Sequence, residues 1–364
     1  MTFNDVEARR LLSGIFDFDY NEIRYVPVPF TDSRINTGSI HLYALGSKKI
    51  ISKFTSIHTI KRFGKILTAQ IGDEYMDMWF KAYPMFFLKD SYIREVCIYE
   101  GLDKKLECYL PKYYGSYWDD EHCYTFSEYI ENTNEEKENN IESEITFIST
   151  LHNLYFDKED VSRKIGAYVQ SAIDFENSKE LIRVWLERIK LDYPLFPDDI
   201  MNEFMLSLYN FKILYEETLK YGRTLCHGDF SHKNMKMSPT QIKVFDWEFA
   251  SFCNPEFDIV NYLVRMHERI NDIFIENILQ RYKQKVNFRN SFNELVECLK
   301  MNAVFYFFVR FIGSMLRNSR SKPDRFLIEV DNFITLYRFL TKKGKKRDDT
   351  VKTALKLRYQ FIMS

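Results

Sequence analysis

Three polar residues with a defined spacing occur in one short stretch of the chain, residues 225–248. The stretch reads LCHGDFSHKNMKMSPTQIKVFDWE and contains Asp229, Asn234 and Asp246. Gly228 permits a tight backbone bend beside Asp229. A Ser-Pro-Thr turn signal and a short apolar strand then lead to Asp246. The pattern predicts a loop and a hairpin that together carry the three polar side chains.

The three side chains have the chemistry that phosphoryl transfer from ATP requires. Such a transfer needs a carboxylate to orient the attacking hydroxyl and oxygen ligands to hold Mg²⁺ against the phosphates. Asp229 suits the first task. Asn234 and Asp246 suit the second, because Mg²⁺ prefers hard oxygen donors. Each residue alone is more often a turn former or a solvated strand end, but the ordered set favours a kinase-type site.

The motif His227-Gly228-Asp229 with Asn234, followed by Asp246-Trp247-Glu248, resembles the active-site signature of the aminoglycoside phosphotransferase and choline kinase-like families. Residues 245–263 resemble the segment that follows the metal-binding aspartate in those families. The resemblance implies a small-molecule kinase of α+β class with a two-lobed protein-kinase-like fold. It would have a small, mainly antiparallel-sheet lobe and a larger, mostly helical lobe. It also implies that Asp258 anchors the catalytic loop, and we expect His227 to orient that loop through hydrogen bonds rather than to act as a base.

The first third of the chain is rich in strand signals. β-branched and aromatic runs punctuated by glycine predict strands, Gly72-Asp73 predicts a hairpin, and apolar spacing predicts one helix. The predicted strands are Ile40–Leu45, Lys49–Phe54, Lys65–Ile71, Met76–Ala82, Tyr113–Trp118 and Cys123–Ser127, with the helix at Ser91–Leu102. This order is that of a kinase-type small lobe. We therefore expect a nucleotide-binding lobe over residues 1–130 and a helical lobe, with the catalytic loop and acceptor site, over residues 131–364.

That layout assigns a phosphate-binding lysine. In protein kinases a strand lysine reaches the nucleotide phosphates and a helix glutamate holds it by an ion pair. Lys81 ends a predicted strand and Glu95 follows on the predicted helix, so we expect these two to pair. The helix sequence REVCIYE also resembles the family's helix motif. The rival lysine is Lys53, farther from the helix in sequence, and the rival glutamate is Glu100, on a different helix face.

The phosphate-binding loop has two candidates, because the chain has neither a GxGxxG nor a Walker A motif. The favoured loop is residues 55–64, where the hydroxyls of Thr55 and Ser56 and nearby backbone N–H groups would contact the phosphates. The alternative is Thr31–Ser39, which has the better turn chemistry.

Residues Cys123–Ile130 resemble the strand that links the two lobes in kinases. The backbone of Glu128 and of Ile130 would then hydrogen-bond the adenine edge. The remainder of the chain is predicted to be mainly helical, with helices at about residues 201–220, 256–284, 291–319 and 324–342.

Composition narrows the class of protein. The formal net charge of −1 gives no case for nucleic-acid binding. The six cysteines are scattered without a CxxC pair, which favours packed, reduced thiols over a zinc site. The N-terminus lacks the pattern of a signal peptide, and no apolar run approaches the roughly 20 residues that a membrane span needs. We therefore expect a cytoplasmic protein.

These observations together predict an ATP-dependent phosphotransferase that acts on a hydroxyl of a small molecule, with Mg²⁺ as its cofactor. The sequence leaves three classes of acceptor open: an aminoglycoside, an amino alcohol such as choline, or a sugar. The alternative is a kinase-like module that binds nucleotide as a scaffold with little or no turnover. The intact set of Asp229, Asn234 and Asp246 argues for the enzyme, whereas the missing glycine-rich loop leaves the scaffold open.

Overall fold

The structure is a computed structural model. It describes residues 3–26, 38–56, 61, 64–65, 72–120, 122–131, 137–194, 196–238, 241–315 and 323–344. Its strands are β1 (Arg24–Val26), β2 (Gly38–Leu45), β3 (Lys48–Ser56), β4 (Tyr113–Trp118), β5 (His122–Glu128), β6 (Tyr168–Val169), β7 (Thr224–Cys226), β8 (Met235–Met237), β9 (Ile242–Val244) and β10 (Ser251–Cys253).

Helices make up most of the remainder. They are α1 (Phe3–Phe16), α2 (Met76–Ala82), α3 (Ser91–Gly101), α4 (Lys104–Glu107), α5 (Lys137–Tyr155), α6 (Glu159–Lys164), α7 (Ala172–Asp192), α8 (Asp198–Tyr209), α9 (Phe211–Leu219), α10 (Glu256–Val264), α11 (Asp272–Lys285), α12 (Phe292–Tyr306) and α13 (Pro323–Gly344). A π-helical turn, Phe307–Phe311, continues α12. Among the residues that the structure describes, no helix is both long and apolar enough to cross a membrane.

The N-terminal strands form one five-stranded sheet in the order β1-β2-β3-β5-β4, and all of its pairings are antiparallel. Successive side chains of a strand point to opposite faces, and β3 shows the consequence. Ile50 packs into a small core between the sheet and α1. Lys53 and Thr55 face the opposite side of the sheet, toward α3. The Thr55 hydroxyl accordingly donates to the carbonyl oxygen of Tyr92, on α3, at 2.8 Å. The sheet thus presents a buried lysine to a helix.

Two small sheets hold the segment that carries the sequence motif. Strands β6, β10 and β7 form one, in which β10 runs parallel to β6 and antiparallel to β7. Strands β8 and β9 form a two-stranded hairpin. The loop between β7 and β8, residues 227–234, and the turn after β9 therefore lie next to each other. Below them, a large aromatic-rich core joins most of the helices.

Four of the predicted strands are present, within one or two residues at their ends: Ile40–Leu45, Lys49–Phe54, Tyr113–Trp118 and Cys123–Ser127. The predicted helix at Ser91–Leu102 is present as α3. The predicted strand Lys65–Ile71 lies mainly outside the described residues.

The prediction of a strand at Met76–Ala82 is wrong, since this segment is the helix α2. Its alternating apolar residues suggested a strand, but Trp79 and Ala82, one helical turn apart, are the buried pair. The predicted hairpin at Gly72-Asp73 is also wrong. Gly72 has a φ of +127° and is followed by a 3₁₀ turn, Asp73–Tyr75, that leads into α2.

Two predicted long helices are broken in the structure. The predicted helix 201–220 is interrupted at Asn210, between α8 and α9. The predicted helix 256–284 ends at Val264, and α11 begins after Asn271, whose side chain accepts a hydrogen bond from the Phe274 N–H at 2.9 Å. This is a standard N-cap contact. The Asn271 cap therefore fixes the start of α11, and Asn210 lies at the break between α8 and α9.

Candidate active site

The loop between β7 and β8 is anchored by one buried carboxylate. Asp258, on α10, accepts hydrogen bonds from the backbone N–H groups of His227 at 2.7 Å and Gly228 at 2.9 Å. The ring of His227 is buried and lies between the backbone of Phe245, 3.1 Å from Nε2, and the N–H of Asp229, which donates to Nδ1 at 3.3 Å. Burial lowers the pKa of His227, so the ring is neutral near pH 7. These contacts hold the loop in place, and the orienting roles of Asp258 and His227 stay predictions.

Gly228 occupies a position that a larger residue would disturb. Its φ is +78°, in the left-handed region that favours glycine. A Cβ atom at this position would lie 2.0 Å from the carbonyl oxygen of Phe249. The loop therefore packs directly against the turn after β9. Asp246 in that turn also has a left-handed conformation, with a φ of 68°.

Asp229 is almost fully buried, with 1% of its surface exposed. On its Oδ2 side, Lys233 forms an ion pair at 2.6 Å and the Asn234 side-chain nitrogen donates at 3.2 Å. The same nitrogen donates to the Asp229 carbonyl oxygen at 2.9 Å. The amide nitrogen of Asn234 is thus engaged within the loop, and its oxygen is the atom suited to a metal ion.

Two arginines lie on the Oδ1 side of Asp229. Arg310 contacts Oδ1 at 3.1 Å and Arg265 lies 3.8 Å from it. Asn261 donates to the same oxygen at 3.5 Å. Burial by itself would raise the pKa of Asp229, but Lys233, Arg265 and Arg310 outweigh it and hold the pKa well below its usual value. The carboxylate is therefore ionised throughout the neutral range.

Lys53 lies among three carboxylates on the other side of the site. Its ammonium group is 2.8 Å from Glu95 Oε2, 2.5 Å from Asp246 Oδ1 and 3.6 Å from Glu248 Oε2. Glu95 also accepts a hydrogen bond from the backbone N–H of Asp246 at 3.0 Å. A strand lysine, a helix glutamate and the aspartate after β9 are thus joined in one network.

The predicted pairing of Lys81 with Glu95 is wrong. Lys81 lies exposed on helix α2, and the strand lysine that pairs with Glu95 is Lys53, the rival candidate. The error came from the assumption that the last strand before the helix carries the lysine. In the structure β3 lies at the centre of the sheet, between β2 and β5, and a long segment containing α2 separates it from α3.

The predicted phosphate contacts of Thr55 are also contradicted. Thr55 is a buried residue of β3 whose hydroxyl donates to Tyr92, so it is not presented to a nucleotide. Ser56 is the half-buried last residue of the same strand, and its role stays a prediction. Most of the favoured loop 55–64 lies outside the described residues. So does the alternative loop Thr31–Ser39, except for its last two residues, which begin β2.

The predicted adenine contacts are only partly available. The backbone N–H of Glu128 donates to the carbonyl oxygen of Lys112 at 2.8 Å. The carbonyl oxygen of Ile130 accepts a hydrogen bond from the Lys236 ammonium group at 3.1 Å. The N–H of Glu128 is therefore committed within the protein, and the remaining backbone groups of Glu128 and Ile130 stay predicted contacts.

Sequence reasoning assigned no role to four residues that the structure brings into the site: Glu248, Lys233, Arg265 and Arg310. Glu248 and Lys233 lie inside the motif itself, so their proximity to Asp246 and Asp229 was a readable signal. Arg265 and Arg310 lie on the helical part of the chain, far from the motif in sequence, and no local pattern marks them.

Comparisons with known proteins agree with this geometry. Residues 206–291 match the model of the phosphotransferase enzyme family. This match runs from the end of α8 to the residue before α12 and includes the loop at residues 227–234 and the β8–β9 hairpin. No curated protein matches the sequence.

Solved structures show the same fold over most of the chain. The choline kinase LicA from Streptococcus pneumoniae is 14% identical, with a TM-score of 0.52 over 92% of this chain and 99% of that chain. The gentamicin complex of APH(2")-IIa is 16% identical, with a TM-score of 0.51 over 93% of this chain and 99% of that one. A putative aminoglycoside phosphotransferase from Ralstonia eutropha is 10% identical, with a TM-score of 0.51 over 93% and 98% of the two chains.

The fold is therefore that of the two-lobed, protein-kinase-like phosphotransferases, as the sequence predicts. The predicted resemblance to the aminoglycoside phosphotransferase and choline kinase-like families is confirmed by the family match and by this fold.

Proposed function

We propose that this protein is an ATP-dependent phosphotransferase that moves the γ-phosphate to a hydroxyl of a small molecule. The observation that carries the proposal is the network around Lys53, which Glu95 and Asp246 hold at 2.8 and 2.5 Å. In protein kinases the lysine–glutamate ion pair and the metal-binding aspartate must both be in place for transfer. The nucleotide would bind between the sheet and the catalytic loop, with the lobes divided near residue 130.

The charges around Lys53 suit a divalent cation. Three carboxylates, those of Glu95, Asp246 and Glu248, lie around the one ammonium group of Lys53. Mg²⁺ prefers carboxylate and amide oxygens, and Asp246 and Asn234 would hold it. When bound, the ion would neutralise negative charge on the phosphates. Lys53 would bind the phosphates beside it.

Asp229 would position the acceptor. Because its pKa lies well below the usual value, it would accept a hydrogen bond from the hydroxyl and orient it rather than act as a strong base. The acceptor oxygen forms a bond to the γ-phosphorus, the bond from that phosphorus to the ADP oxygen breaks, and the hydroxyl proton passes toward Asp229. Catalysis would rest mainly on positioning and electrostatic stabilisation.

The test is the substitution Asp229→Asn, which keeps the shape of the side chain but removes its charge. Turnover should fall by about 10²–10⁴-fold, the usual loss for a catalytic acid–base group, with ATP binding largely preserved. ADP formation would be measured with a panel of amino alcohols, sugars and aminoglycosides, and ATP binding by calorimetry. The matched control is Asp192→Asn. Asp192 lies at the partly exposed end of α7, and in the described contacts it pairs only with Arg188.

Retained turnover in Asp229→Asn would contradict the assignment of the catalytic residue. Binding of ATP with no transfer to any acceptor, in wild-type and variant alike, would instead support the scaffold alternative. Identification of the phosphorylated position in the product would then define the acceptor class.

A further inference from the structure

The catalytic carboxylate is surrounded by more positive charge than its neutralisation requires. Arg310 contacts Asp229 at 3.1 Å, Arg265 lies at 3.8 Å and Lys233 at 2.6 Å. The two arginine side chains are only 10% and 6% exposed. Burying a guanidinium group costs free energy unless its charge and its donors are matched. One cation would balance Asp229, so the others call for a further anionic partner.

Both arginines have a donor without a partner. The Nε–H groups of Arg265 and Arg310 are buried and make no hydrogen bond within the part of the chain that the structure describes. Buried polar groups are nearly always hydrogen-bonded, so each exception calls for an explanation. A guanidinium group offers a planar fork of donors that matches a carboxylate or a phosphate. These donors therefore indicate a site for an anion.

The arginines approach Asp229 on the side away from the metal ligands. Asn234 and Lys233 contact Oδ2, whereas Arg265 and Arg310 contact Oδ1. Asn234 belongs to the half of the site that would hold the metal and the γ-phosphate. The Oδ1 side, formed by helical elements, is thus the side left for the acceptor.

The fold holds both arginines in place. Arg310 lies in the π-helical turn after α12, and its guanidinium group stacks on the ring of Phe249, 3.7 Å from the ring centre. π-Helical turns occur frequently at functional sites. Arg265 follows the end of α10 and donates to the Ser314 hydroxyl at 3.1 Å.

One further carboxylate, that of Glu329, interacts electrostatically with Arg265 beside Asp229. Glu329 is buried on α13 and contributes, with Asp229, to the high pKa of Arg265. It is shared with Arg325, whose Nε lies 3.4 Å away. On the Oδ1 side, Glu329 and Asp229 together carry two negative charges against the three positive charges of Arg265, Arg310 and Arg325, whereas Lys233 lies on the Oδ2 side. The acceptor side of Asp229 keeps an excess of positive charge.

We infer that the acceptor is a small alcohol that carries an anionic group, a carboxylate or a phosphate, bound by Arg310 and Arg265. This inference rests on the proposed phosphotransfer at Asp229. Binding of the anion draws Arg310 away from Oδ1, and that oxygen becomes available to the acceptor hydroxyl. A cationic acceptor, such as choline or an aminoglycoside, would instead place its charge against three cations.

The inference is tested by calorimetric titration of the protein saturated with Mg²⁺ and a non-hydrolysable ATP analogue, which fills the γ-phosphate position so that an anionic probe cannot occupy it. The probes are glycerol, glycerate, glycerol 3-phosphate, choline and gentamicin. We expect saturable binding of glycerate or glycerol 3-phosphate but not of the neutral or cationic probes. The difference between the two anionic probes distinguishes a carboxylate from a phosphate.

Arg310→Met should weaken binding of the anionic probe by about ten- to a hundredfold, the loss expected for hydrogen bonds to a charged group. Arg310→Lys, which keeps the buried charge but loses the fork, should weaken it less. The control Arg188→Met removes an exposed arginine paired with Asp192 and should leave binding unchanged. Each variant is checked for an unaltered unfolding temperature and for ATP binding.

The inference is overturned if no anionic probe binds, if choline or gentamicin binds instead, or if Arg310→Met leaves anion binding intact. A uniform loss of kcat with all acceptors, with their binding unchanged, would also overturn it, since Arg310 would then act on the transferred phosphoryl group. Transfer to neutral or cationic acceptors alone would leave the proposed function standing without this inference. Arg310-dependent anion binding without any ADP formation would contradict the proposed function and would leave an anion-binding site at Arg310 that is not an acceptor site.

Discussion

Lys53 is buried among three carboxylates, those of Glu95, Asp246 and Glu248. Burial acts to lower its pKa, but Asp246, Glu95 and Glu248 outweigh that effect and raise the pKa well above its usual value. The ammonium group is therefore charged throughout the neutral range. In the proposed function, an ammonium group held by Glu95, Asp246 and Glu248 would already be oriented for phosphate oxygens, so little reorganisation would be needed when they bind.

Substitution of each lysine distinguishes the role of Lys53 from that of Lys81. Lys53→Met should lower kcat/KM for ATP by about 10²–10³-fold, the usual loss when one electrostatic donor is removed from an active site. Lys81→Met removes an exposed lysine on α2 and should leave kcat/KM unchanged. ADP formation is measured for both variants after far-ultraviolet circular dichroism has shown that each is folded. An equal loss in Lys81→Met would restore the assignment made from sequence layout.

At the scale of single elements, helix α3 is the part that joins the two halves of the site. It carries Glu95 on the face toward Lys53 and, one residue earlier, the buried Arg94. Arg94 donates to the carbonyl oxygens of Phe87 and Glu248, both at 2.6 Å, and of Gly166 at 3.2 Å. Arg94 thus connects α3 to the turn after β9, in addition to the hydrogen bond that the Asp246 N–H donates to Glu95.

Removal of that connection should destabilise the protein and loosen Glu95. Arg94→Met should reduce the free energy of unfolding by about 3 kcal/mol or more, because each buried carbonyl left without a donor costs about 1–3 kcal/mol. Urea denaturation measures the change. Arg183→Met, which removes an arginine from surface ion pairs on α7, should cost less than about 1 kcal/mol. Similar values for the two variants would contradict the connecting role of Arg94.

At the scale of the whole molecule, the described residues form two hydrophobic cores of unequal size. The smaller core lies between α1 and the five-stranded sheet. The larger core contains the helical lobe and also takes in side chains of the segment between β3 and β4, among them Trp79 and Phe86. The ring of Trp79 lies 5.5 Å from that of Phe86 and 6.4 Å from that of Trp185 on α7. The segment between β3 and β4 therefore packs into the larger core, although it lies within the residues expected for the N-terminal lobe.

This arrangement predicts that Trp79 supports the large lobe. Trp79→Ala should reduce the free energy of unfolding by about 3–5 kcal/mol, as expected when a buried aromatic side chain leaves a cavity. Trp118 at the end of β4 is 56% exposed, and Trp118→Ala should change stability by less than about 0.5 kcal/mol. Thermal or urea unfolding followed by circular dichroism compares the two. A small loss in Trp79→Ala would mean that α2 packs too loosely to support the lobe.

Local patterns in the sequence were informative where one short segment contains the whole signal. Local signals predicted three elements: the strands Tyr113–Trp118 and Cys123–Ser127 and the helix that begins at Ser91. In each, the spacing of apolar residues and the neighbouring turn residues lie within one short segment. The spacing of Asp229, Asn234 and Asp246 was readable for the same reason. Met76–Ala82 was misread because its alternation of apolar residues is compatible with both a strand and a short helix, and packing of Trp79 decides between them.

The sequence by itself determined the reaction class to propose, since the residues for orienting a hydroxyl and binding a metal lie within one loop and hairpin. Only the tertiary structure decided which lysine meets Glu95, because sheet order, rather than distance along the chain, brings Lys53 to α3. It also brought Arg265 and Arg310 from separate helical segments to Asp229. Charge around a buried carboxylate is a property of three-dimensional proximity, and no local pattern in the sequence records it.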